Sequence, residues 1–288
     1  MILNRCPRHI EFFDPGHFSG RYFRVAPAEP LRACIDFFWE TDFDSLWESH
    51  PQGFSDVLFP HVGYTYLINL ANPFVMQVGE KRFGVRRDVF LPRPYAIECH
   101  HQPGNRLFGI KFRVAPLLLE KRIDFSEYLQ GIVPLGYLID REVPVRLKQA
   151  GNFAERVALL NRYFLELAGD RRRSVPAFDL VSSVLNRLET EQAYRRPVPA
   201  WAADYGISTR TLQRYFEMAT GISTKTALQI LRIRRAVQHL ATCPGDFHYA
   251  GYGYYDYSHF CRHLRSFLRK RTLDDLRPHL RLLEPMRR

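Results

Sequence analysis

The sequence has no apolar run long enough to cross a membrane. No stretch of about 18 consecutive apolar side chains occurs in the 288 residues. The opening segment, MILNRCPRHIEFFDPG, lacks the uninterrupted apolar core of a secretory signal. The five cysteines are an odd number, widely spaced and without a C-x-x-C pair, which argues against a disulfide framework or a zinc knuckle. These absences predict reduced thiols and a cytoplasmic protein.

Enzyme motifs are missing as well. The sequence contains no G-x-S-x-G, no P-loop and no G-x-G-x-x-G, so we expect neither catalysis nor a cofactor. The possible metal ligands of the N-terminal half are His61, Cys99, His100 and His101. Adjacent His100 and His101 would point to opposite faces of a strand, and no H-x-H with a downstream Glu is present. The sequence therefore predicts no metal site.

Positive charge is abundant and unevenly placed. The formal net charge is +11. Residues 1–170 contain 20 Lys and Arg and 20 Asp and Glu, whereas residues 171–288 contain 21 and 10, so the whole excess lies in the C-terminal part. A basic domain beside a neutral one is typical of a phosphate-binding module carried by another domain. Solubility alone would not require this segregation.

The first 120 residues are rich in short aromatic and β-branched runs separated by Pro and Gly, such as GRYFRV, YTYLINL and LFGIKFRV. These runs predict the strands of a sandwich or barrel, and a small barrel with an open mouth can enclose a small ligand. The segment LRACIDFFW at 31–39 fits a helix or a strand equally well. We predict a short helix and a loop over 125–138 and another short helix over 143–150.

An amphipathic helix is predicted over 152–168. Its apolar stripe, at spacings of four and three residues, consists of Phe153, Val157, Leu160, Phe164 and Leu167. The stripe either packs on the barrel of its own chain or forms a seam with a second chain. GDRRRSVP at 169–176 is the best linker candidate, because charge, Gly and Pro interrupt the helix there. We therefore expect domains at 1–168 and 177–288.

The stretch 198–240 predicts two short helices joined by a tight turn and followed by a longer helix. Gly206 suits the left-handed turn, and Ser208 can cap the second helix. Leu212 and Phe216, four apart, would face the core. The residues expected on the exposed face of the second helix are Arg210, Thr211, Gln213 and Arg214. Arg pairs bidentately with guanine and Gln with adenine, so such a face suits a DNA major groove. We expect the long helix to carry Arg232, Arg234 and Arg235 on its outer side.

A partial repeat of this unit follows within 247–268. Gly253 and Tyr254 correspond to Gly206 and Ile207, Asp256 can cap a helix, and Phe260 and Leu264 repeat the spacing of four. The residues expected on the exposed face of the second reading helix are Ser258, His259, Arg262 and Arg265.

The residues that carry a family resemblance are WAADYGISTRTLQRYFEMATGIS, LRIRRAVQHL and GYYDYSHFCRHLRSF. They resemble the DNA-binding domain of the AraC/XylS family of bacterial transcription regulators over about 100 residues. The N-terminal region more loosely resembles the cupin-like sensor domains found ahead of it. The resemblance implies an α+β chain of two domains: a β-rich cupin-like barrel with following helices, then an all-α domain with two helix-turn-helix units joined by a long helix.

The resemblance also implies function. The two units would read successive major grooves of promoter or operator DNA, with Cys261 beside Ser258, His259 and Arg262 on the second helix. It implies a small-molecule effector or homodimerisation through the N-terminal domain, RNA polymerase as a partner of an activator, and action at the bacterial nucleoid. The sequence departs from the family at Tyr249, where a small Ala is usual, and at Thr272, where Ser is common. RNA binding is the alternative, because Tyr252, Tyr254, Tyr255 and Tyr257 cluster.

Overall fold

The computed structural model describes residues 17, 20–114, 131–170 and 176–268. Strands dominate the first half of these residues. They are β1 (Tyr22–Val25), β2 (Ile35–Asp42), β3 (Ser55–Leu58), β4 (Tyr64–Asn69), β5 (Phe74–Val78), β6 (Lys81–Val85), β7 (Val89–Pro92), β8 (Ile97–His100), β9 (Arg106–Phe112) and β10 (Val133–Pro134). One short helix, α1 (Asp44–Ser49), lies between β2 and β3.

Helices make up the second half. They are α2 (Glu142–Gln149), α3 (Phe153–Asp170), α4 (Pro176–Thr190), α5 (Val198–Asp204), α6 (Thr209–Thr220), α7 (Thr224–Thr242) and α8 (Tyr257–Leu268). Short 3-10 turns occur at Glu29–Leu31, Leu135–Tyr137, Pro244–Asp246 and Tyr249–Tyr252. Among the helices described here, none combines the length and apolar content needed to cross a membrane.

The strands form two antiparallel sheets that face each other. The larger sheet has the order β1-β2-β9-β4-β7-β10 and the smaller one the order β3-β8-β5-β6. Alternate side chains of a strand point to one face. Leu67 of the larger sheet therefore meets Met76 and Ile97 of the smaller sheet in one buried apolar cluster. The ambiguous segment 31–39 is largely strand, since β2 begins at Ile35.

The other face of the larger sheet is covered by helices. The ring of Phe164 on α3 lies 5.7 Å from that of Phe112 on β9, and Leu160 is fully buried. The apolar stripe of α3 thus packs on its own chain, which was the first of the two alternatives. Arg156, at the edge of the same face of α3, donates to Glu40 on β2 over 3.1 Å, and this buried ion pair fixes the helix against the sheet.

The two halves share one continuous apolar core. A single cluster of buried side chains runs from Phe112 of the sheet through Phe164 and Val181 to Trp201 and Phe216 of the C-terminal helices. The α+β fold class, with an antiparallel β-rich N-terminal domain and a helical C-terminal domain, is confirmed.

Parts of two predicted segments and one singled-out residue lie outside the described residues. The predicted linker falls mainly on 171–175, so the domain limits stay a prediction. The predicted helix and loop over 125–138 are described only from 131, where β10 and a 3-10 turn occur. Thr272 also lies outside the described part of the chain.

Candidate nucleic-acid interface

The first two-helix unit consists of α5, a tight turn and α6. Trp201 and Ala202 of α5 are buried, as are Leu212 and Phe216 of α6. Gly206 has a φ of 64°, the left-handed conformation that glycine adopts without steric penalty. The hydroxyl oxygen of Ser208 accepts a hydrogen bond from the backbone N–H of Thr211 over 3.1 Å, which caps α6. The predicted unit is therefore present with its turn and its cap.

The exposed face of α6 is narrower than predicted. Arg210 and Arg214 are exposed, whereas Thr211 and Gln213 are half-buried. The amide nitrogen of Gln213 donates to Glu217 over 2.6 Å, and its carbonyl oxygen accepts from the backbone of Thr224 over 3.3 Å. A bidentate contact of Gln213 with adenine would break both bonds. Among these four residues, the cationic side chains that α6 exposes to solvent are Arg210 and Arg214.

The second unit repeats the first with a shortened leading helix. Gly253 has a φ of 77° and Tyr254 is buried, as their counterparts in the first unit predict. Asp256 accepts from the backbone N–H of His259 over 2.5 Å and caps α8. The segment that corresponds to α5 is only the 3-10 turn Tyr249–Tyr252, and the half-buried ring of Tyr249 packs against a buried cluster. A bulky ring in place of a small residue accompanies the shortened helix.

The predicted reading residues of α8 divide into two groups. Ser258 and Arg262 are exposed, whereas His259 and Arg265 are half-buried. Cys261 packs against the buried cluster that contains Phe260 and is not part of the exposed face, contrary to the expected arrangement. Cys261 is half-buried, because it lies beside Leu264 at the border of the packed face of the helix.

The prediction that three arginines of α7 lie on an outer side is wrong. The guanidinium carbon of Arg232 lies 4.6 Å from the ring centroid of Tyr254. Arg234 donates to the backbone oxygen of Pro60 over 2.9 Å, and Arg235 pairs with Glu189 over 3.0 Å. Helix α7 packs against α4, the second unit and the smaller sheet, so each of its three half-buried arginines contacts a neighbouring element.

A cationic cleft of about 660 Å³ separates the two units. Its charged lining residues are Arg195, Arg196, Lys225 and Arg232, and no acidic residue lines it among the described residues. His259, at the start of the second reading helix, lies at its edge. A cleft with one sign of charge concentrates the opposite charge, so this one suits a phosphate group.

A neutral Tyr–His pair supports the second unit. Tyr254 and His263 are joined by a hydrogen bond of 2.6 Å between the hydroxyl oxygen and Nδ1. Burial, together with the nearby Arg232 and His259, lowers the pKa of His263 to about 4. Burial also raises the pKa of Tyr254, so the phenol stays protonated and donates to the neutral imidazole.

Comparison with known sequences identifies the C-terminal part. Residues 201–271 match a family model described as a helix-turn-helix domain. This part of the chain is an AraC-type helix-turn-helix domain. The helix-turn-helix domain predicted from the sequence is confirmed, and it supports a role as a DNA-binding transcription regulator. A search of curated proteins finds no significant match.

Solved structures similar to this chain are distant. ToxT from Vibrio cholerae O395 is 9% identical, with 78% of this chain and 94% of that chain covered and a TM-score of 0.44. Fatty acid-bound ToxT from V. cholerae strain SCE256 is 11% identical, with 76% and 92% covered and a TM-score of 0.41. The AraC-like transcriptional activator CuxR is 10% identical, with 78% and 89% covered and a TM-score of 0.30.

Proposed function

We propose that this regulator binds duplex DNA in a sequence-specific manner, with α6 and α8 reading successive major grooves on one face of the DNA. The observation that carries the proposal is the capped helix α6, which presents Arg210 and Arg214 to solvent from a rigid, fully packed core. Such a helix fits the major groove of B-DNA, where an Arg side chain pairs bidentately with guanine.

In this proposal the remaining predicted residues have different tasks. Ser258 and Arg262 are exposed on α8 and read the second groove. Thr211 and Arg265 contact the DNA backbone beside the reading arginines. The cleft between the units receives a phosphate from the segment of backbone that separates the two grooves. Gln213, His259 and Cys261 act mainly as supports for these contacts.

The N-terminal domain supplies regulation in this proposal. Its two sheets enclose a separate apolar cluster, and the C-terminal helix α7 binds its surface through Arg234. A change in the N-terminal domain, caused by an effector or by a second copy of the chain, can therefore alter the position of the reading helices. An activator of this kind works in the cytoplasm and contacts RNA polymerase. We propose no catalytic role.

RNA binding is disfavoured by the structure of the tyrosine cluster. Single-stranded RNA is read by exposed aromatic rings on which bases stack. Tyr254 is 2% exposed, and Tyr252 is half-buried with its ring stacked 5.9 Å from that of Phe247. Only Tyr255 and Tyr257 of the four tyrosines are exposed, on a turn and at the start of α8. Two of the four rings therefore pack inside the domain and are not available for stacking with bases.

A competition experiment tests the choice between these nucleic acids. The full chain is bound to a fluorescent duplex, and unlabelled duplex DNA, single-stranded DNA and single-stranded RNA of the same sequence compete for it. We expect duplex DNA to compete at the lowest concentration. More effective competition by either single strand would contradict the proposal.

A further inference from the structure

Three potential metal ligands meet on the inner face of the smaller sheet. Asp56 on β3 is paired directly with Cys99 on β8, and His101 follows two residues later, so all three side chains point to the same face. One ligand atom from each residue lies within 4.8 Å of the other two. The sequence-based prediction of no metal site considered the neighbours His100 and His101. It did not consider Cys99 together with His101, which are two residues apart and therefore point to the same face.

The cluster is dry and enclosed by aromatic rings. Asp56, Cys99 and His101 are each no more than 3% exposed. The imidazole of His101 stacks on Phe43, with 3.5 Å between ring centroids, and on Phe74, with 5.4 Å. An ionised carboxylate in such surroundings is costly unless a positive charge compensates it.

Hydrogen bonds determine which ring nitrogen of His101 carries a hydrogen and which one faces Asp56. The amide nitrogen of Asn105 donates to the backbone oxygen of Asn72 over 2.9 Å, so its side-chain oxygen faces Nδ1 of His101 at 2.7 Å. Nδ1 must therefore carry a hydrogen and donate it. The other nitrogen, Nε2, lies 2.9 Å from Oδ1 of Asp56, where two lone pairs would repel each other. A proton or a metal cation must lie between them.

Two further features favour a metal over a proton alone. Within the described part of the chain, Oδ2 of Asp56 is buried without a hydrogen-bond partner. A proton on Nε2 leaves that oxygen with only the thiol of Cys99 beside it, which is a weak hydrogen-bond donor. A metal-bound imidazole usually donates its other N–H to a neighbouring oxygen, as Nδ1 of His101 does to the side-chain oxygen of Asn105.

We propose that Asp56, Cys99 and His101 bind one Zn²⁺ ion through the carboxylate oxygen, the thiolate sulfur and Nε2. Thiolate, imidazole and carboxylate are the ligands that zinc binds tetrahedrally, and three protein ligands leave a fourth position for water or another small ligand. One Zn²⁺ with a thiolate and a carboxylate forms a neutral unit, which suits a dry interior. Tetrahedral zinc holds two such N and O ligands about 3.3 Å apart, so Nε2 of His101 and Oδ1 of Asp56 need only separate by a few tenths of an ångström from their 2.9 Å contact.

The site is adjacent to the contact between the two domains. Val57, the neighbour of Asp56, points to the opposite face of β3 and packs against Ala236 and Val237 of α7. The same strand leads to Pro60, whose backbone oxygen accepts from Arg234. Zinc at Asp56 therefore shifts β3 against the helix that joins the two reading units. This regulatory part of the inference rests on the proposed function, whereas the metal site does not.

Metal titration of the full, metal-free chain tests the site. We expect one Co²⁺ per chain, with a thiolate-to-cobalt charge-transfer absorption that Zn²⁺ abolishes by displacement. Cys99→Ser should remove this absorption and weaken Zn²⁺ binding at least about tenfold. Loss of a group that only hydrogen-bonds a metal ligand already costs about tenfold or more, so loss of a ligand should cost at least as much. Cys34→Ser is the matched control, since Cys34 is another N-terminal cysteine remote from the cluster. This variant should keep both the charge-transfer absorption and the wild-type affinity for Zn²⁺.

A second measurement keeps the test valid if Cys99→Ser does not fold. Zn²⁺ should raise the melting temperature of the wild-type chain, because a ligand that binds only the folded state stabilises it. Absence of stoichiometric metal binding by the wild-type chain overturns the proposal. Retention of the thiolate-to-cobalt absorption in a folded Cys99→Ser variant overturns the proposal as well.

DNA affinity measured with and without Zn²⁺ tests the regulatory part. We expect a change of at least about fivefold, the lower end of typical allosteric coupling. Bound zinc with unchanged DNA affinity overturns the coupling alone. Absence of duplex binding in both states contradicts the proposed function and leaves the metal site standing.

Discussion

Arg214→Ala removes an exposed guanidinium from the middle of α6 with little expected effect on folding. The guanidinium carbon lies 5.7 Å from the ring centroid of Tyr215, an exposed contact worth at most about 1 kcal/mol. Surface substitutions of this kind usually change the free energy of unfolding by about 0.5 kcal/mol. A loss of DNA affinity in this variant can therefore be attributed to a lost DNA contact.

The expected loss follows from the contact that the side chain makes. A bidentate pair between Arg and guanine contributes about 1–3 kcal/mol of discrimination against the wrong base. This free energy corresponds to roughly a 5- to 150-fold loss of affinity for the specific site. On a duplex of scrambled sequence the loss should be much smaller, because only the attraction to phosphates is removed there.

Fluorescence anisotropy at fixed salt measures both affinities. The specific and scrambled duplexes are titrated with wild type, Arg214→Ala and the control Arg82→Ala, which removes an exposed arginine from β6. The control should match wild type on both duplexes. An equal loss on both duplexes for Arg214→Ala would mean that the residue binds the backbone only, and no loss would remove it from the interface.

Three further predictions concern charge, pH and the domain contact. The logarithm of the DNA association constant should fall linearly with that of the salt concentration, with a slope of about −0.9 for each phosphate neutralised; a flat response contradicts the role of the cationic cleft. Lowering the pH from about 6.5 to about 4 should destabilise the chain, because unfolded His263 binds a proton in this range and folded His263, with its pKa of about 4, does not. Thermal unfolding of His263→Gln should lose part of this dependence, whereas His248→Gln, at an exposed site, should keep it in full. Arg234→Ala should lower the free energy of unfolding by about 1.5–3 kcal/mol in urea, since it removes charged hydrogen bonds to backbone oxygens; an unchanged midpoint would mean that the contact does not form in solution.

The local features of the helix-turn-helix units were predictable from the sequence. Gly206 and Gly253 both adopt positive φ, and Ser208 and Asp256 both cap the helices that follow them. These features depend on residues only a few positions apart. Backbone conformation and capping chemistry alone determine them, so their sequence pattern is reliable.

The long-range features were not predictable in the same way. The pattern of α7 shows which side chains are charged, but Arg234 finds its partner 174 residues away in the sequence, at Pro60. The metal-ligand cluster likewise depends on the register that places Asp56 opposite Cys99. Neither the packing of α7 nor the register of β3 against β8 is encoded in local spacing, so both needed the structure.

The core shared by the two domains also lay beyond sequence reasoning. The stripe of α3 left two alternatives open, and only the contact of Phe164 with Phe112 distinguishes them. Val181 of α4 belongs to the same buried cluster as the sheet and as Trp201. An apolar stripe indicates that a face is buried, but it does not indicate against which element.

The most direct test of the central claim is a binding selection. The purified chain is mixed with random duplex DNA, and the retained sequences are read. The account predicts a motif with two blocks whose centres are one helical turn apart, about 10–10.5 base pairs, because α6 and α8 each read one groove. A motif with a single block would contradict reading by α8, and the absence of any enriched sequence, with and without Zn²⁺, would contradict sequence-specific DNA binding altogether.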